Sequence, residues 1–170
     1  CSGMVLGDFW VHHSIGVGAV SEVFLAKRLS NDEQVFLKVL SPLATVDEEN
    51  VQRFIQAVSV SQQIDHPNII SVQEMGLYQD HYFLATRYVD GKCLDQIVED
   101  EGPFSEKEAL EICLKVAALM RRQWREHALV HQALKPANIL MNDEREIFLL
   151  DVGNSKQLLV PPSGSIEEIN

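Results

Sequence analysis

The chain has 170 residues, which is enough for one domain or for two small lobes that share a core. Apolar residues make up 46% and charged residues 23% of it, a composition typical of a globular protein that buries a sizeable core. The formal net charge of -11 argues against a nucleic-acid partner and against an anionic membrane surface, because both bind Lys and Arg clustered on one face.

The first half of the chain predicts an antiparallel sheet and one helix. Alternating apolar and polar residues, bounded by turn residues, predict strands over 9–15, 20–26, 34–40, 69–77 and 81–88. Asp47 is the predicted start of the helix. Glu48 and Glu49 follow it in the first turn, and Val51 and Phe54 begin an apolar face at helical spacing.

The second half predicts mainly helices. Residues 93–99 form a short predicted helix, and Ser105 with Glu108 makes a capping box that begins a long helix reaching about residue 127. Because this long helix is apolar on most of its faces, we expect it to be buried. Two short strands over 139–142 and 146–150 follow, and the polar tail from Pro161 is expected to be loose.

Residues 131–140 carry the most informative motif. They read H-Q-A-L-K-P-A-N-I-L and are followed, after a hairpin-like stretch, by D-V-G at 151–153. In order and spacing, these residues resemble the catalytic loop and the metal-binding loop of a protein kinase. By this resemblance Lys135 is typical of the Ser/Thr type of kinase, and Asn138 and Asp151 are the two magnesium ligands.

Three substitutions remove groups that a kinase uses. Ala133 stands where a kinase carries the aspartate that accepts the proton of the substrate hydroxyl, and a methyl group accepts no proton. Ala57 stands where the family places the glutamate that pairs with the phosphate-binding lysine. Val152 replaces the phenylalanine of the D-F-G motif. The resemblance therefore implies a kinase fold without its general base.

The resemblance also implies the architecture, an α+β, protein-kinase-like fold. We expect residues 1–88 to form a five-stranded antiparallel small lobe with one helix. Residues 89–160 would form a reduced, helical large lobe, and residues 161–170 a flexible tail. This large lobe lacks the helices that follow the metal-binding loop in a kinase, because only 17 residues follow Gly153.

Residues 15–23 resemble the glycine-rich loop whose backbone closes over the phosphates of ATP. Gly16 and Gly18 match that loop, and Ser21 occupies the position of the third glycine. A G-x-G pair is also common in plain hairpin turns, but here a predicted strand lies on each side of it. Lys38 resembles the kinase lysine that binds the α- and β-phosphates, and its apolar neighbours disfavour the alternative of a solvated strand residue.

The predicted purine slot lies between Val23 and Leu140, and Phe36 replaces the small alanine that the family places there. We expect the phenyl ring of Phe36 to project into this slot and to exclude the nucleotide, since packed interiors have no spare room for a ring. By the same resemblance the hinge residues are Thr86, Tyr88 and Val89. Alternatively, these three residues are only the end of an internal strand.

Together these residues predict a catalytically inactive pseudokinase that acts as a protein-interaction or scaffold module. With the cleft blocked we expect no cofactor; ATP and magnesium bind if the cleft is open. Two alternatives remain open. One is an ATP-dependent Ser/Thr protein kinase-like phosphotransferase with weak or atypical activity, and the other is a nucleotide sensor that binds ATP without turnover.

The missing large-lobe helices leave the long predicted helix uncovered, which predicts a site for a protein partner or for a homodimer. The chain is either a reduced kinase fold or a piece of a longer protein, and we favour self-association.

Cysteine usage predicts a reducing, cytoplasmic location. Cys1, Cys93 and Cys113 are widely separated and show no C-x-x-C spacing, so a disulfide framework or a metal site is disfavoured. No apolar run is long enough to span a bilayer, and we find no signal peptide. Cys1 is either an acylated first residue or a boundary inside a longer protein, and the absence of a flanking signal favours the second.

Overall fold

The structure, a computed structural model, describes residues 3–127, 129–150 and 156–157 of the chain. Its small-lobe sheet has six strands in the antiparallel order β1-β2-β3-β4-β6-β5. The strands are β1 (Val5–Leu6), β2 (Phe9–Val17), β3 (Ser21–Arg28), β4 (Gln34–Leu40), β5 (Val72–Tyr78) and β6 (His81–Arg87). Helix α1 (Glu48–Ser61) connects β4 to β5.

The prediction of five strands in this sheet is wrong, because β1 adds a sixth. Val5 pairs with Trp10 and Leu6 with Phe9 across a tight turn in which Gly7 adopts a φ of 59°. A two-residue strand is too short to show the alternation from which strands are predicted. Leu6 is nevertheless fully buried, so β1 closes one edge of the small-lobe core.

Side-chain hydrogen bonds hold both ends of helix α1. Asp47 is its N-cap, as predicted, and accepts a hydrogen bond from the Glu49 backbone N–H at 3.0 Å. At the other end the fully buried Ser61 hydroxyl accepts the Val72 N–H at 2.6 Å. This bond fastens the helix to the start of β5, which begins at Val72 rather than at the predicted residue 69.

The small-lobe sheet curls around one apolar core. The rings of Phe9 on β2 and Phe83 on β6 form an edge-to-face pair with centroids 5.5 Å apart. The Arg28 guanidinium lies 4.7 Å from the centre of the Phe9 ring and forms an ion pair with Glu74 on β5. Contacts between strands that are not neighbours therefore hold the curl.

The large lobe combines short strands with two helices. Its elements are β7 (Lys92–Cys93), α2 (Leu94–Glu101), α3 (Glu106–His127), β8 (Leu129–Val130), β9 (Ile139–Met141), β10 (Ile147–Leu149) and β11 (Lys156–Gln157). Strands β10, β9 and β7 form one small sheet, and β11 pairs with β8 in another. The predicted helix over 93–99 is observed as α2, which follows the short strand β7.

Helix α3 starts at the predicted capping box. The Ser105 backbone N–H donates to the Glu108 carboxylate at 3.0 Å, and the Glu108 N–H donates to the Ser105 hydroxyl at 3.3 Å. The expected burial holds for one face only. Ile112 and Val116 pack into the large-lobe core, whereas Leu110 is 60% exposed.

Several predicted features lie outside the described residues. These are the metal-binding motif at 151–153, the loose tail from Pro161 and the terminal Cys1. Within the ranges that the structure does describe, no helix combines the length and the apolar character needed to cross a membrane.

The packing of Phe83 requires a glycine at position 76 of β5. A Cβ atom at Gly76 would lie 2.3 Å from the Phe83 ring, a separation that real side chains do not show. We therefore expect Gly76→Ala to lower the free energy of unfolding by about 1–3 kcal/mol through overpacking. Urea unfolding monitored by circular dichroism measures this change.

The matched control for this substitution is Gly16→Ala in β2, where an added Cβ meets no atom within 4 Å. Its effect should be within about 0.5 kcal/mol. Equal destabilisation by the two substitutions would contradict the packing argument, and partial rescue of Gly76→Ala by Phe83→Leu would support it.

Candidate functional site: a kinase-like cleft

The loop over 131–138 lies between β8 and β9 and is held by hydrogen bonds within the loop and to the Leu150 backbone. His131 Nδ1 accepts the Ala133 N–H at 3.2 Å, so His131 Nε2 carries the ring proton and donates to the Leu150 carbonyl at 2.9 Å. The buried Asn138 amide Nδ2 donates to the Ala133 carbonyl at 2.6 Å. The Leu150 backbone N–H donates to the Asn138 carbonyl at 3.0 Å.

The side chain at position 133 takes no part in this network. Every bond at Ala133 uses its backbone N–H or its carbonyl oxygen, so the loop keeps its path with a methyl group at this position. Among the described residues, Asn138 is also the one predicted metal ligand that can be placed. With Nδ2 committed to Ala133, the Oδ1 atom of Asn138 is the one left for a cation.

A cleft of about 570 Å³ lies between the small-lobe sheet and this loop. Most of the residues predicted for a nucleotide site line it: Gly16, Val23, Phe36, Lys38, Thr86, Tyr88, Asn138 and Leu140. Gly18 and Val89 do not line it, and neither does the exposed Lys135. The structure therefore brings together, in one cavity, predicted residues up to 124 positions apart in the chain (140 minus 16).

Gly18 belongs to the turn at the tip of the β2–β3 hairpin rather than to the cleft wall. Its N–H donates to the Ser21 carbonyl at 2.8 Å, and a Cβ at Gly18 would lie 3.1 Å from that oxygen. Ser21, at the third glycine position, is buried. The hairpin is thus closed by its own backbone.

Phe36 lines the end of the cleft where the purine slot was predicted. Its ring makes an edge-to-face contact with the Tyr88 ring, with centroids 5.1 Å apart, and packs against the cluster of Ile70, Leu140 and Phe148. Val89 packs against the same cluster from the hinge. The ring is part of the cleft wall, and the volume of the cleft is within the range typical of ligand pockets. That Phe36 excludes a purine stays a prediction.

Sequence reasoning missed the wall that the hinge and α2 contribute. Cys93, Asp95 and Gln96 line the cleft there. Gly91, with a φ of 153°, allows the hinge to pass close to β9, since a Cβ would lie 2.5 Å from the Met141 carbonyl. The glycine after Asp90 was a visible turn signal, but no periodic pattern connects it to the catalytic loop.

Two more missed residues, Ile15 and Leu25, lie on β2 and β3 and also line the cleft. The alternation along these strands was the signal that could have found them, because it places residues two apart on one face.

Burial raises the pKa of two ionisable groups on the hinge side of the cleft. It raises the pKa of the Cys93 thiol to about 11, and Asp95 adds to the shift. The pKa of Tyr88 is raised by burial and by its hydrogen bond to Asp90 at 3.1 Å. Cys93 is therefore a protonated thiol near neutral pH.

The metal-ligating capacity of the described cleft is small. The parts of the chain that the structure describes contain no group of three or more His, Cys, Asp or Glu side chains able to hold a metal ion. Asp151, the second predicted magnesium ligand, lies outside those parts.

Comparison with known proteins identifies the source of this geometry. The family model described as protein kinase domain matches residues 9–165, which is most of the chain. The chain belongs to the protein kinase family. Serine/threonine-protein kinase PrkC of Bacillus subtilis is 30% identical over 149 residues, covering 88% of this chain and 23% of that protein. Serine/threonine-protein kinase pkn3 of Myxococcus xanthus is 35% identical over 147 residues, covering 84% of this chain and 27% of that protein.

Solved structures agree with the fold. The PknI kinase domain of Mycobacterium tuberculosis superposes with a TM-score of 0.73 at 29% identity, covering 92% of this chain and 64% of that one. The chain thus has a protein-kinase-like fold that spans part of a kinase domain, and about a quarter of the length of the curated relatives named above. The predicted family and fold class are confirmed.

Proposed function

We propose that this chain is a pseudokinase domain, which keeps the kinase cleft, transfers no phosphoryl group and acts through protein contacts. The observation that carries the proposal is Ala133, which sits in a catalytic loop held by hydrogen bonds at both its N–H and its carbonyl oxygen. A positioned general base contributes about 10²–10⁴-fold to a rate, and a methyl group contributes none of it.

Among the described residues of the cleft, no carboxylate replaces the missing general base. Asp95 is the one carboxylate among the described residues that line the cleft, and it lies at the first turn of α2 on the hinge side. Its Oδ1 accepts the Gln96 N–H at 3.0 Å. Ala57 in α1 likewise supplies no carboxylate for Lys38. In a kinase, a glutamate at this position helps to position the phosphates, and positioning dominates phosphoryl transfer. This contribution is therefore absent as well as that of the general base.

Phosphoryl transfer is the direct test. With ATP, magnesium and a generic Ser/Thr substrate protein, we expect the wild-type chain to transfer no phosphate above the level of a Lys38→Met variant purified in parallel. The Lys38→Met variant reports contaminating kinases, because it removes the cleft cation predicted to bind the phosphates. Measurement of phosphate incorporation by mass spectrometry checks this, and wild-type incorporation well above the variant would sink the proposal.

A second candidate, a nucleotide sensor, is favoured by the size of the cleft. The cavity of about 570 Å³ retains Lys38 on one wall and Asn138 Oδ1 on the other. When bound, magnesium–ATP supplies a transferable phosphoryl group, and here Lys38 would neutralise phosphate charge while Asn138 would hold the cation. The residues on the described walls thus fit the phosphate groups of ATP. The Phe36 ring disfavours binding of its purine.

Thermal unfolding separates the two candidates. If the Phe36 ring excludes the purine, magnesium–ATP leaves the melting temperature of the wild-type chain unchanged and raises that of Phe36→Ala. A ligand at about 100 times its Kd adds about 2.7 kcal/mol, which corresponds to about 5–10 °C for a domain of this size.

The control for this thermal experiment is Phe36→Ala combined with Lys38→Met, which should lose the gain. A rise for the wild-type chain itself, without phosphoryl transfer, would replace the scaffold proposal by the sensor. An unchanged Phe36→Ala variant would show that the ring is not the obstruction.

The protein contacts of the proposed module are assigned to the outer face of α3. Leu110, Cys113, Leu114 and Ala117 recur at helical spacing and are all exposed, Leu114 by 62%. Lys107 and Glu111 flank this stripe with opposite charges 4.0 Å apart. A two-fold interface must be complementary to itself, and an apolar stripe bordered by both signs of charge meets that condition. A second copy of the chain is the proposed occupant.

Self-association is tested by light scattering from micromolar to millimolar concentration. We expect the wild-type mass to rise toward a dimer and the variant Leu110→Glu/Leu114→Glu to remain a monomer, because both side chains are already exposed and the fold does not need them. Met75→Glu/Leu77→Glu, on the exposed face of β5, is the matched control and should behave as the wild type. A wild-type chain that stays monomeric throughout removes the homodimer.

A further inference from the structure

A short 3-10 turn between β4 and α1 presents two aliphatic side chains to solvent. In this turn, Ala44–Val46, Ala44 is 6% exposed and packs against the cluster that includes Leu40 and Phe54. Leu43 and Val46 are 88% and 87% exposed. With three residues per turn, Leu43 and Val46 lie on one side of the turn, away from the anchored Ala44.

Hydrogen bonds fix this presentation before any partner arrives. The Ala44 N–H donates to the Ser41 carbonyl at 2.9 Å and lies 3.2 Å from the Ser41 hydroxyl. The Thr45 hydroxyl donates to the Pro42 carbonyl at 2.6 Å. The turn is therefore preorganised, and docking on it requires little ordering of its backbone.

The same turn is fastened to the hairpin that covers the cleft. The Ser41 N–H donates to the Val20 carbonyl at 2.9 Å, which joins the start of the turn to the β2–β3 hairpin. At the tip of that hairpin Val17 is 80% exposed and also lines the cleft. We call the exposed aliphatic set Val17, Val20, Leu43 and Val46 on the joined hairpin and turn the lip patch; of these four residues, Val17 lines the cleft.

Carboxylates border the lip patch. Asp47, Glu48 and Glu49 follow Val46 directly. The Asp47 carboxylate is used by the Glu49 N–H and the Asn50 amide, and Glu49 is paired with Arg53. Among the described residues, the Glu48 carboxylate has neither a hydrogen bond nor an ion pair, so its charge is available to a ligand. The net charge of the chain has the same sign.

We propose that the lip patch docks a peptide segment of a partner protein in which aliphatic or aromatic residues stand beside Lys or Arg. The apolar residues of the segment would cover Leu43 and Val46, and its cation would lie against Glu48. Acidic borders disfavour an anionic membrane and disfavour the lip patch of a second copy, since like charges would meet. This docking surface is separate from the α3 stripe.

Selection from a random twelve-residue displayed peptide library, followed by calorimetry with the synthetic peptides recovered, tests the proposal. We expect recovered peptides to combine Leu, Ile or Phe with Lys or Arg. For Leu43→Ser/Val46→Ser the Kd should rise by about tenfold or more, because two apolar contacts are lost. For Glu48→Gln it should rise by about two- to fivefold, and added salt should weaken wild-type binding.

The matched control is Met75→Ser/Leu77→Ser, which changes two exposed apolar residues on β5 and should leave the Kd unchanged. Circular dichroism confirms that each variant folds, and Glu48→Gln remains informative should the double variant not fold. Each of the following outcomes overturns the proposal: no peptide recovered, peptides without basic residues, or binding that Leu43→Ser/Val46→Ser and Glu48→Gln leave intact. Binding to anionic vesicles in place of peptides would also overturn it.

Discussion

The hydrogen bond from the Asn138 side-chain amide to the Ala133 carbonyl sets the path of the catalytic loop. Together with the two ring nitrogens of His131, it ties the loop to β9 and to the Leu150 backbone. All the acceptors and donors that the loop contributes at position 133 are backbone atoms, and these are the same for every residue type except proline. The chain can therefore lose the proton-accepting side chain and keep the shape of a kinase loop.

Two apolar clusters support the elements around the cleft above that loop, and only the second of them contributes residues that line it. The small-lobe core closes through Phe9 and Phe83, and a second cluster of Ile70, Leu140 and Phe148 joins the hinge to the large lobe. Phe36 belongs to the edge of the second cluster and contacts Tyr88. A residue that was expected to act on the nucleotide thus also links the two walls of the cleft, which gives the ring a packing role of its own.

Motif spacing and local chemistry were readable from the sequence, and several details of the cleft were not. The caps at Asp47 and Ser105 are where the sequence predicted them, and most of the residues predicted for a nucleotide site line one cleft. Strand β1 was missed because two residues show no alternation, and Cys93 and Gln96 were missed because their place on the cleft wall depends on how α2 follows the hinge. The expected all-round burial of α3 was too general, since periodicity shows which residues are apolar and not what covers them.

By itself, the sequence determined the family, the order of the main strands and helices, and the absence of a carboxylate at position 133. These depend on residue identity and on contacts within a few positions of the chain. Only the tertiary structure decided that Phe36 lines a cleft of about 570 Å³, that Ser61 joins α1 to β5, and that Leu43 and Val46 face solvent. Those outcomes depend on packing between segments far apart in the chain, where the available volume is set by every neighbour at once.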